Sequence, residues 1–368
     1  EGYGERQDFF DLLGYYNPYY LSEIQPSSSD QVMLNENAYI NLSPIKGLNV
    51  RSALGLQWYD SRYSQKALPV GPFEGAGTAI EDFQRYYNWT VTNTAEYKFD
   101  FLDDHYVTIL LGQESMSNKD QSFRARAEGL TDPRLLLMSA AATGVKPTHS
   151  IAEEVRNSWF GTLNYSYAEK YFVDLSIRRD GSSLFGENNR WATFGAAAAM
   201  WKISREKFME GTKSWLNNLD LKASYGTTGN SGIGAYLALG LVGTGPLYDG
   251  NSGSAIANPS NPDLSWEKVK TLNLGISARL FNRIDIDLEY YNKETSDMLM
   301  DIPYSYTTGF SGGYGNVATM TNKGFDFDIN AEIIKTKDWR WSLRVNGNYN
   351  KNEITKLFQG LDYYTQST

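Results

Sequence analysis

The chain has 368 residues, 14% aromatic, with 33 Gly, 26 Tyr, no Cys and a formal charge of −9. That balance argues against nucleic acid, because phosphate binding needs clustered Lys and Arg. Without thiols, these residues hold no disulfide framework, cysteine zinc cluster or thiol nucleophile.

No run is long and apolar enough for a spanning helix. The best, residues 194–201 and 235–242, fall far short of the ~20 residues required. The start, Glu1-Gly2-Tyr3-Gly4, is not a signal peptide. An envelope protein with this start is expected to be a processed or partial chain.

In chain order, one pattern recurs: segments of about ten residues with period-two hydrophobicity, the length of a transmembrane strand. After a weak strand at 38–42, residues 48–59 set Leu48, Val50, Leu54, Leu56 and Trp58 against Asn49, Arg51, Gln57 and Tyr59. Successive strand side chains point to opposite faces, so one side is oily and the other wet. Tyr87, Trp89, Val91, Ala95, Tyr97 and Phe99 then oppose Thr90, Thr92, Thr94, Glu96 and Lys98, with Asn93 interrupting the oily row. A weaker strand covers 106–117. Trp159, Leu163, Tyr165 and Tyr167 oppose Arg156, Ser158, Thr162 and Asn164, and Val173, Leu175 and Ile177 oppose Asp174, Ser176 and Arg178. Weaker strands follow at 191–201 and 219–226. Leu272, Leu274, Ile276 and Leu280 oppose Thr271, Asn273, Ser277 and Arg279. Ile284, Ile286, Leu288 and Tyr290 oppose Asp285, Asp287 and Glu289. Phe325, Phe327 and Ile329 oppose Asp326, Asp328 and Asn330. Trp339, Trp341, Leu343, Val345 and Tyr349 oppose Arg340, Arg344, Asn346 and Asn348. The pattern predicts about twelve strands.

A soluble sandwich also gives each strand one apolar face. Three features favour a membrane wall instead. Connections alternate short (43–47, 100–105, 168–170, 281–283, 334–338) and long (60–84, 118–155, 227–267, 293–321), matching short periplasmic turns and long outer loops. Residues 180–190 are short for an outer loop. Residues 202–218 are long for a turn, with a small helix expected over 204–210. Oily-face aromatics sit near strand ends, as in girdles at two membrane interfaces. Arg51, Lys98, Arg178, Lys222, Arg279 and Arg344 all fall on the wet face, as expected when a cation facing mid-bilayer lipid costs roughly 2–4 kcal/mol.

The fold expected is therefore all-β, an antiparallel transmembrane β-barrel. Residues 156–357 carry dense further motifs. These include Asn157-Ser158-Trp159-Phe160-Gly161, Arg179-Asp180-Gly181-Ser182-Ser183, Phe185-Gly186, Asn189-Arg190-Trp191 and Thr228-Gly229-Asn230. Further along come Asn261-Pro262-Asp263-Leu264-Ser265-Trp266-Glu267, Tyr290-Tyr291-Asn292-Lys293, Thr308-Gly309-Phe310 and Asn322-Lys323-Gly324. Together they resemble the SusC/RagA-type TonB-dependent transporters of Bacteroidetes. The resemblance implies a barrel of about 22 strands closed by a plug, with residues 1–368 forming part of one barrel domain. The N-terminal plug, its TonB-contacting segment and the C-terminal strands are expected to lie outside it. It also implies a SusD-like lipoprotein lid over the outer loops, TonB as energy source, outer-membrane lipid around the wall, and a glycan or oligosaccharide as cargo, with a peptide as the second choice.

No enzyme or cofactor motif is found. His105 and His149 form no His-x-x-x-His pair. Residues 229–234 are glycine-rich but lack the Lys-Ser/Thr of a phosphate loop, and there is no Gly-x-Ser-x-Gly elbow. Asp285, Asp287 and Glu289 share a strand face. They read either as a cation or sugar-hydroxyl site or as solvated lumen wall, the commoner condition of barrel interiors. Loop residues Tyr248, Asp249, Tyr304 and Tyr306, with Phe310 and Tyr314, either stack on sugars or a partner or pack the loops together. The substrate-facing candidates are Arg51, Tyr59, Arg178, Arg279, Asp287, Glu289, Tyr248, Asp249, Tyr304 and Tyr306. The rival reading is a non-transporting lectin-like or adhesin module, which leaves the connection lengths and motifs unexplained.

Overall fold

A computed structural model describes residues 18–73, 75–243, 247–248, 251–310 and 312–360. Helix α1 (Pro18–Ile24) precedes strands β1 (Ser27–Leu42), β2 (Leu48–Ala67), β3 (Gly77–Phe101), β4 (His105–Leu130), β5 (Thr143–Tyr167), β6 (Tyr171–Ser182), β7 (Trp191–Lys202) and β8 (Leu216–Asn230). Four short strands follow: β9 (Leu241–Gly243), β10 (Leu247–Tyr248), β11 (Asn251–Ser252) and β12 (Ala255–Asn258). The chain returns to long strands in β13 (Glu267–Leu280), β14 (Ile284–Pro303), β15 (Gly312–Lys335) and β16 (Arg340–Lys356). One 12-stranded sheet runs β1-β2-β3-β4-β5-β6-β7-β8-β13-β14-β15-β16, with the short strands pairing among themselves. Every register described in the large sheet is antiparallel. All twelve expected strands are present in their expected order.

Contacts divide the chain into two compact units, one within residues 1–38, 54–90 and 116–154, the other within 39–53, 91–115 and 155–368.

In the second unit the register sorts side chains by face. One rung across eight strands reads Tyr165, Val173, Ala199, Ala223, Leu274, Tyr290, Phe325, Tyr349. These side chains have no layer packed on them: Leu274 is 46% exposed and Phe325 51%. A soluble core would bury them, at about 25 cal/mol per Å² of apolar area removed from water. Hydrocarbon removes the same penalty from the other side of the wall. Rings run in series along the short-turn end. Phe101 and His105 are 4.6 Å apart, His105 and Tyr167 4.4 Å, Tyr167 and Tyr171 6.1 Å, Tyr171 and Trp201 6.4 Å. That row is one aromatic girdle.

Asn93, which breaks its oily row, belongs to a polar line across the same face. Ser52 Oγ donates to Asn93 Oδ1 at 2.8 Å, Asn93 Nδ2 donates to Gln113 Oε1 at 3.1 Å, and Gln113 Nε2 donates to Ser115 Oγ at 2.7 Å. Ser115 Oγ in turn donates to Asn157 Oδ1 at 2.6 Å. Mutual bonding lowers the cost of placing these groups at the margin of the bilayer.

In the first unit the strands continue well beyond the length of a crossing. A transmembrane strand needs about 9–11 residues, whereas β3 has 25 and β4 has 26. Residues 60–84 and 118–155, expected as long loops, are therefore mostly strand. The true connections are 68–76 and 131–142, and His149 lies on β5 rather than in a loop. Beyond Trp58, the parity that carried Leu54 and Leu56 carries Asp60. There Arg85 donates to both Asp60 oxygens at 2.8 and 2.7 Å. Arg124 likewise holds Asp82 at 2.6 Å through two bonds. The unit's core is small: Tyr20 and Ile24 of α1 with Leu68, flanked by Val70, Phe73 and Leu136.

Two further expectations are corrected. The link 293–321 shortens to 304–311, because β14 and β15 run on past a bulge near Thr295 and Met298. The expected helix over 204–210 forms as two 3-10 segments, Ile203–Arg205 and Lys207–Thr212. Three short turns each place two consecutive non-glycine residues at positive φ: Leu102 and Asp103, Ala168 and Glu169, Phe281 and Asn282. Such turns match the right-handed strand twist.

Candidate functional site

The wet face of β8 and β13–β16 is a ladder of charged and amide groups. One rung reads Asp220, Ser277, Asp287, Asp328, Asn346; the next reads Lys222, Gly275, Glu289, Asp326, Asn348; a third reads Asn218, Arg279, Asp285, Asn330, Arg344. Lys222 Nζ donates to Ser277 Oγ at 2.7 Å, and Ser277 Oγ donates to Asp287 Oδ1. Arg344 donates to Asp328 Oδ2 through Nε at 2.9 Å and Nη2 at 2.6 Å. Asn348 Nδ2 donates to Asp326 Oδ1, and Arg279 Nε lies 3.5 Å from Asp285 Oδ1. Gly275, between Lys222 and Glu289, contributes no side chain. A depression of about 440 Å³ lies there, its polar lining drawn from Lys222, Ser277, Asp287, Glu289, Asp326, Asp328, Asn346 and Asn348 and its apolar lining from Ile276, Leu288 and Phe327. It offers carboxylate and amide oxygens as acceptors and amide and ammonium groups as donors, with Lys222, Asp287, Asp326, Asp328 and Asn348 held by cross-strand bonds.

A second polar cluster surrounds Arg178. Its Nε donates to Asp180 Oδ1 at 2.6 Å and its Nη2 donates to Glu114 Oε1 at 3.0 Å. Thr92 Oγ1 donates to the other Glu114 oxygen at 3.2 Å. The guanidinium stacks 5.2 Å from the Phe160 ring centre. Phe160 itself lies on the wet face, where a Cβ at Gly112 would meet its ring at 2.2 Å. Arg178 is thus held on three sides and serves the wall. Arg51 is more open: its guanidinium stands 4.3 Å over the Tyr39 ring.

Three expected site residues, Arg279, Asp287 and Glu289, come together on the ladder, while Arg178 and Arg51 do not join them. Tyr59 is half-buried on β2 within the first unit. Tyr304 is half-buried, its ring beside Gly313. Tyr248 lies on β10 and Tyr306 in a 3-10 turn, their side chains outside the described residues, as is Asp249 altogether. The sequence alone does not single out Glu114, Lys222, Ser277, Asp326, Asp328 and Arg344 as site residues. Alternation marks the face for all of them but Glu114, and only the register shows that they meet. Among the described residues, no group of three or more His, Cys, Asp or Glu is placed to hold a metal.

At the outer end, the motif residues act as pins. Phe185, Phe194 and Trp266 are buried together, with the Trp266 ring 4.7 Å from Phe185 and 5.8 Å from Phe194. Gly186 N donates to Leu264 O at 3.0 Å, and Asn188 Nδ2 donates to Asp263 Oδ1 at 2.8 Å. Asn316 Nδ2 donates to the carbonyls of Ser265 and Asp297, both at 2.8 Å. The segment before β13 is thereby fixed to the β6–β7 connection and to strands β14 and β15. At the other end, Glu206 accepts from the Tyr171 hydroxyl at 2.6 Å, Lys170 Nζ at 3.1 Å and Trp201 Nε1 at 3.2 Å. These donors, the Tyr171 hydroxyl first, hold its carboxyl below the usual range.

Residues 2–367 match the family model for the TonB dependent receptor-like β-barrel. The chain is 31% identical over 339 residues to TonB-dependent receptor P26 of Formosa agariphila, covering 88% of this chain and 34% of that protein. It is 37% identical over 221 residues to TonB-dependent receptor SusC of Bacteroides thetaiotaomicron, covering 57% of this chain and 22% of SusC. The solved RagAB peptide transporter superposes with a TM-score of 0.88 at 37% identity, over 94% of this chain and 39% of that one. The chain spans about a third of the length of most of the curated relatives it matches. With an antiparallel sheet, an oily outer face and a polar inner one, the chain belongs to the TonB-dependent receptor family of outer-membrane β-barrels, in its SusC/RagA branch.

Proposed function

We propose that the full-length protein imports an oligomeric nutrient across the outer membrane, driven by TonB through a plug outside this chain. A SusD-like lipoprotein covers the outer loops. The observation that carries this reading is the fixed polar ladder on the lumen face. A wall of prealigned carboxylates, amides and ammonium groups suits a solute rich in hydroxyl or amide groups, which exchanges bonds with water at little cost. The protein makes and breaks no covalent bond in its cargo. An oligosaccharide is the first reading, because Asp287, Glu289, Asp326 and Asn348 gather carboxylate and amide partners for hydroxyl groups around one depression that also has apolar wall for a sugar face. Likeness to the RagAB peptide transporter over nearly the whole chain favours a peptide as the second.

Uptake decides between them. Cells expressing the full-length protein with its neighbouring lipoprotein should accumulate a labelled oligosaccharide, and Asp287→Ala with Glu289→Ala should slow that uptake several-fold while surface abundance holds. Accumulation of oligopeptides alone would select the second reading. Accumulation of neither solute, with the protein correctly assembled, would contradict import.

A further inference from the structure

On the oily parity of β13, Lys268 and Lys270 are paired with Asp297 and Glu294, whereas β6 carries a cation there with no such pair. Arg179 shares the parity of Val173, Leu175 and Ile177 on β6, and its register partner is Trp159, which is 61% exposed. The Trp191 ring covers Gly181, where a Cβ would meet it at 2.9 Å, and the Arg179 guanidinium stands 5.6 Å from the Trp191 ring centre. Among the described residues, Arg179 has no carboxylate partner. It lies eight residues from Tyr171 at the short-turn end, roughly 26 Å of strand at about 3.3 Å per residue. That is the outer margin of the crossing, where a cation on the lipid face costs least.

Beside Arg179 lies a furrow of about 600 Å³, lined by Val50, Ala95, Leu111, Gly161 and Ile177. Ala95 and Gly161 leave room that larger side chains would fill. The polar line through Asn93 and Gln113 borders it. Three chemistries therefore meet within one patch: an apolar groove, exposed indole rings that suit the faces of sugars, and an unpaired guanidinium that suits phosphate.

We propose that this patch binds a phosphorylated glycolipid of the outer leaflet. One acyl chain lies in the furrow, a sugar ring rests against Trp159 or Trp191, and a phosphate pairs with Arg179. Charge selects this occupant. An uncharged lipid leaves Arg179 unpaired in a low-dielectric margin, and free phosphate leaves the furrow and both indoles unused. The inference rests on the bilayer placement of this face, which quenching of a label at Leu274 by lipid-borne quenchers tests separately.

The test is native mass spectrometry of the full-length protein in mild detergent, titrated with a diphosphorylated, acylated glucosamine disaccharide. The wild type should retain about one tightly held glycolipid per protein, and Arg179→Glu should weaken retention about tenfold, in line with loss of a charge-assisted pair. Arg179→Lys should keep most of the binding, and Ala95→Trp, which fills the furrow, should reduce it. Arg179 makes no ion pair within the wall, so heat-modified gel mobility should show the variants folded. Arg179→Gln carries the comparison should Arg179→Glu fail to fold. Equal retention by wild type and Arg179→Glu would overturn the proposal. So would equal binding of the dephosphorylated disaccharide, displacement by inorganic phosphate alone, or burial of the patch against a second copy of the protein.

Discussion

At Gly186 there is no space for even a methyl group. A Cβ there would stand 2.0 Å from the carbonyl oxygen of Pro262 and 2.9 Å from that of Asn261, both backbone atoms that cannot swing aside. Gly186→Ala should therefore prise the segment before β13 from the β6–β7 connection. The expected cost is about 1–3 kcal/mol, the usual range for overpacking. Limited proteolysis should show cleavage within residues 231–266 appearing in the variant and not in the wild type. Glu206 makes a different kind of prediction. Its folded pKa lies below the ordinary 4.5, so its stabilising contribution is present above pH 4.5 and is lost as pH falls through the folded value. Glu206→Gln should lower the melting temperature at neutral pH, and the gap between variant and wild type should close in acid. A gap independent of pH would show that the Tyr171, Lys170 and Trp201 bonds do not depend on the charge.

Within a strand, adjacent residues should respond oppositely to the same substitution. Leu274 faces hydrocarbon near the middle of β13, so Leu274→Arg should destabilise folding into vesicles by roughly 2–4 kcal/mol. Asn273→Arg faces the lumen and should stay within about 0.5 kcal/mol of wild type. Denaturant titration of the vesicle-folded protein measures both. This alternation made the twelve strands legible in sequence. The same physics explains where legibility stopped. Past the bilayer both faces of a strand meet water, so Asp60, Arg62, Glu81 and Asp82 erase the period and β2 and β3 look like loop. Hydrogen bonding along the ladder still holds those residues in strand. The site was legible only as a face. Lys222 is far from Ser277 in sequence and meets it only through the β8–β13 register, while the Ser277–Asp287 bond depends on the register set by the turn at 281–283. That turn uses Phe281 and Asn282 at positive φ rather than the usual Asn-Gly pair, so its type could not be read from its residues.

For the molecule as a whole, the described sheet is one layer of wall with distinct solvents on its two sides, and this arrangement makes the family's transport role physically possible. The polar ladder is stable only because water, not lipid, meets it. The apolar rung is stable only because lipid, not water, does. A single-thiol label moved residue by residue from Leu272 to Leu280, in full-length protein reconstituted into vesicles, tests this directly. The account predicts that even-numbered positions are quenched by lipid-borne quenchers and odd-numbered positions by a water-soluble one, in strict alternation. Quenching of Leu274 and Ile276 from water alone, or of Asn273 and Ser277 from lipid, would contradict it.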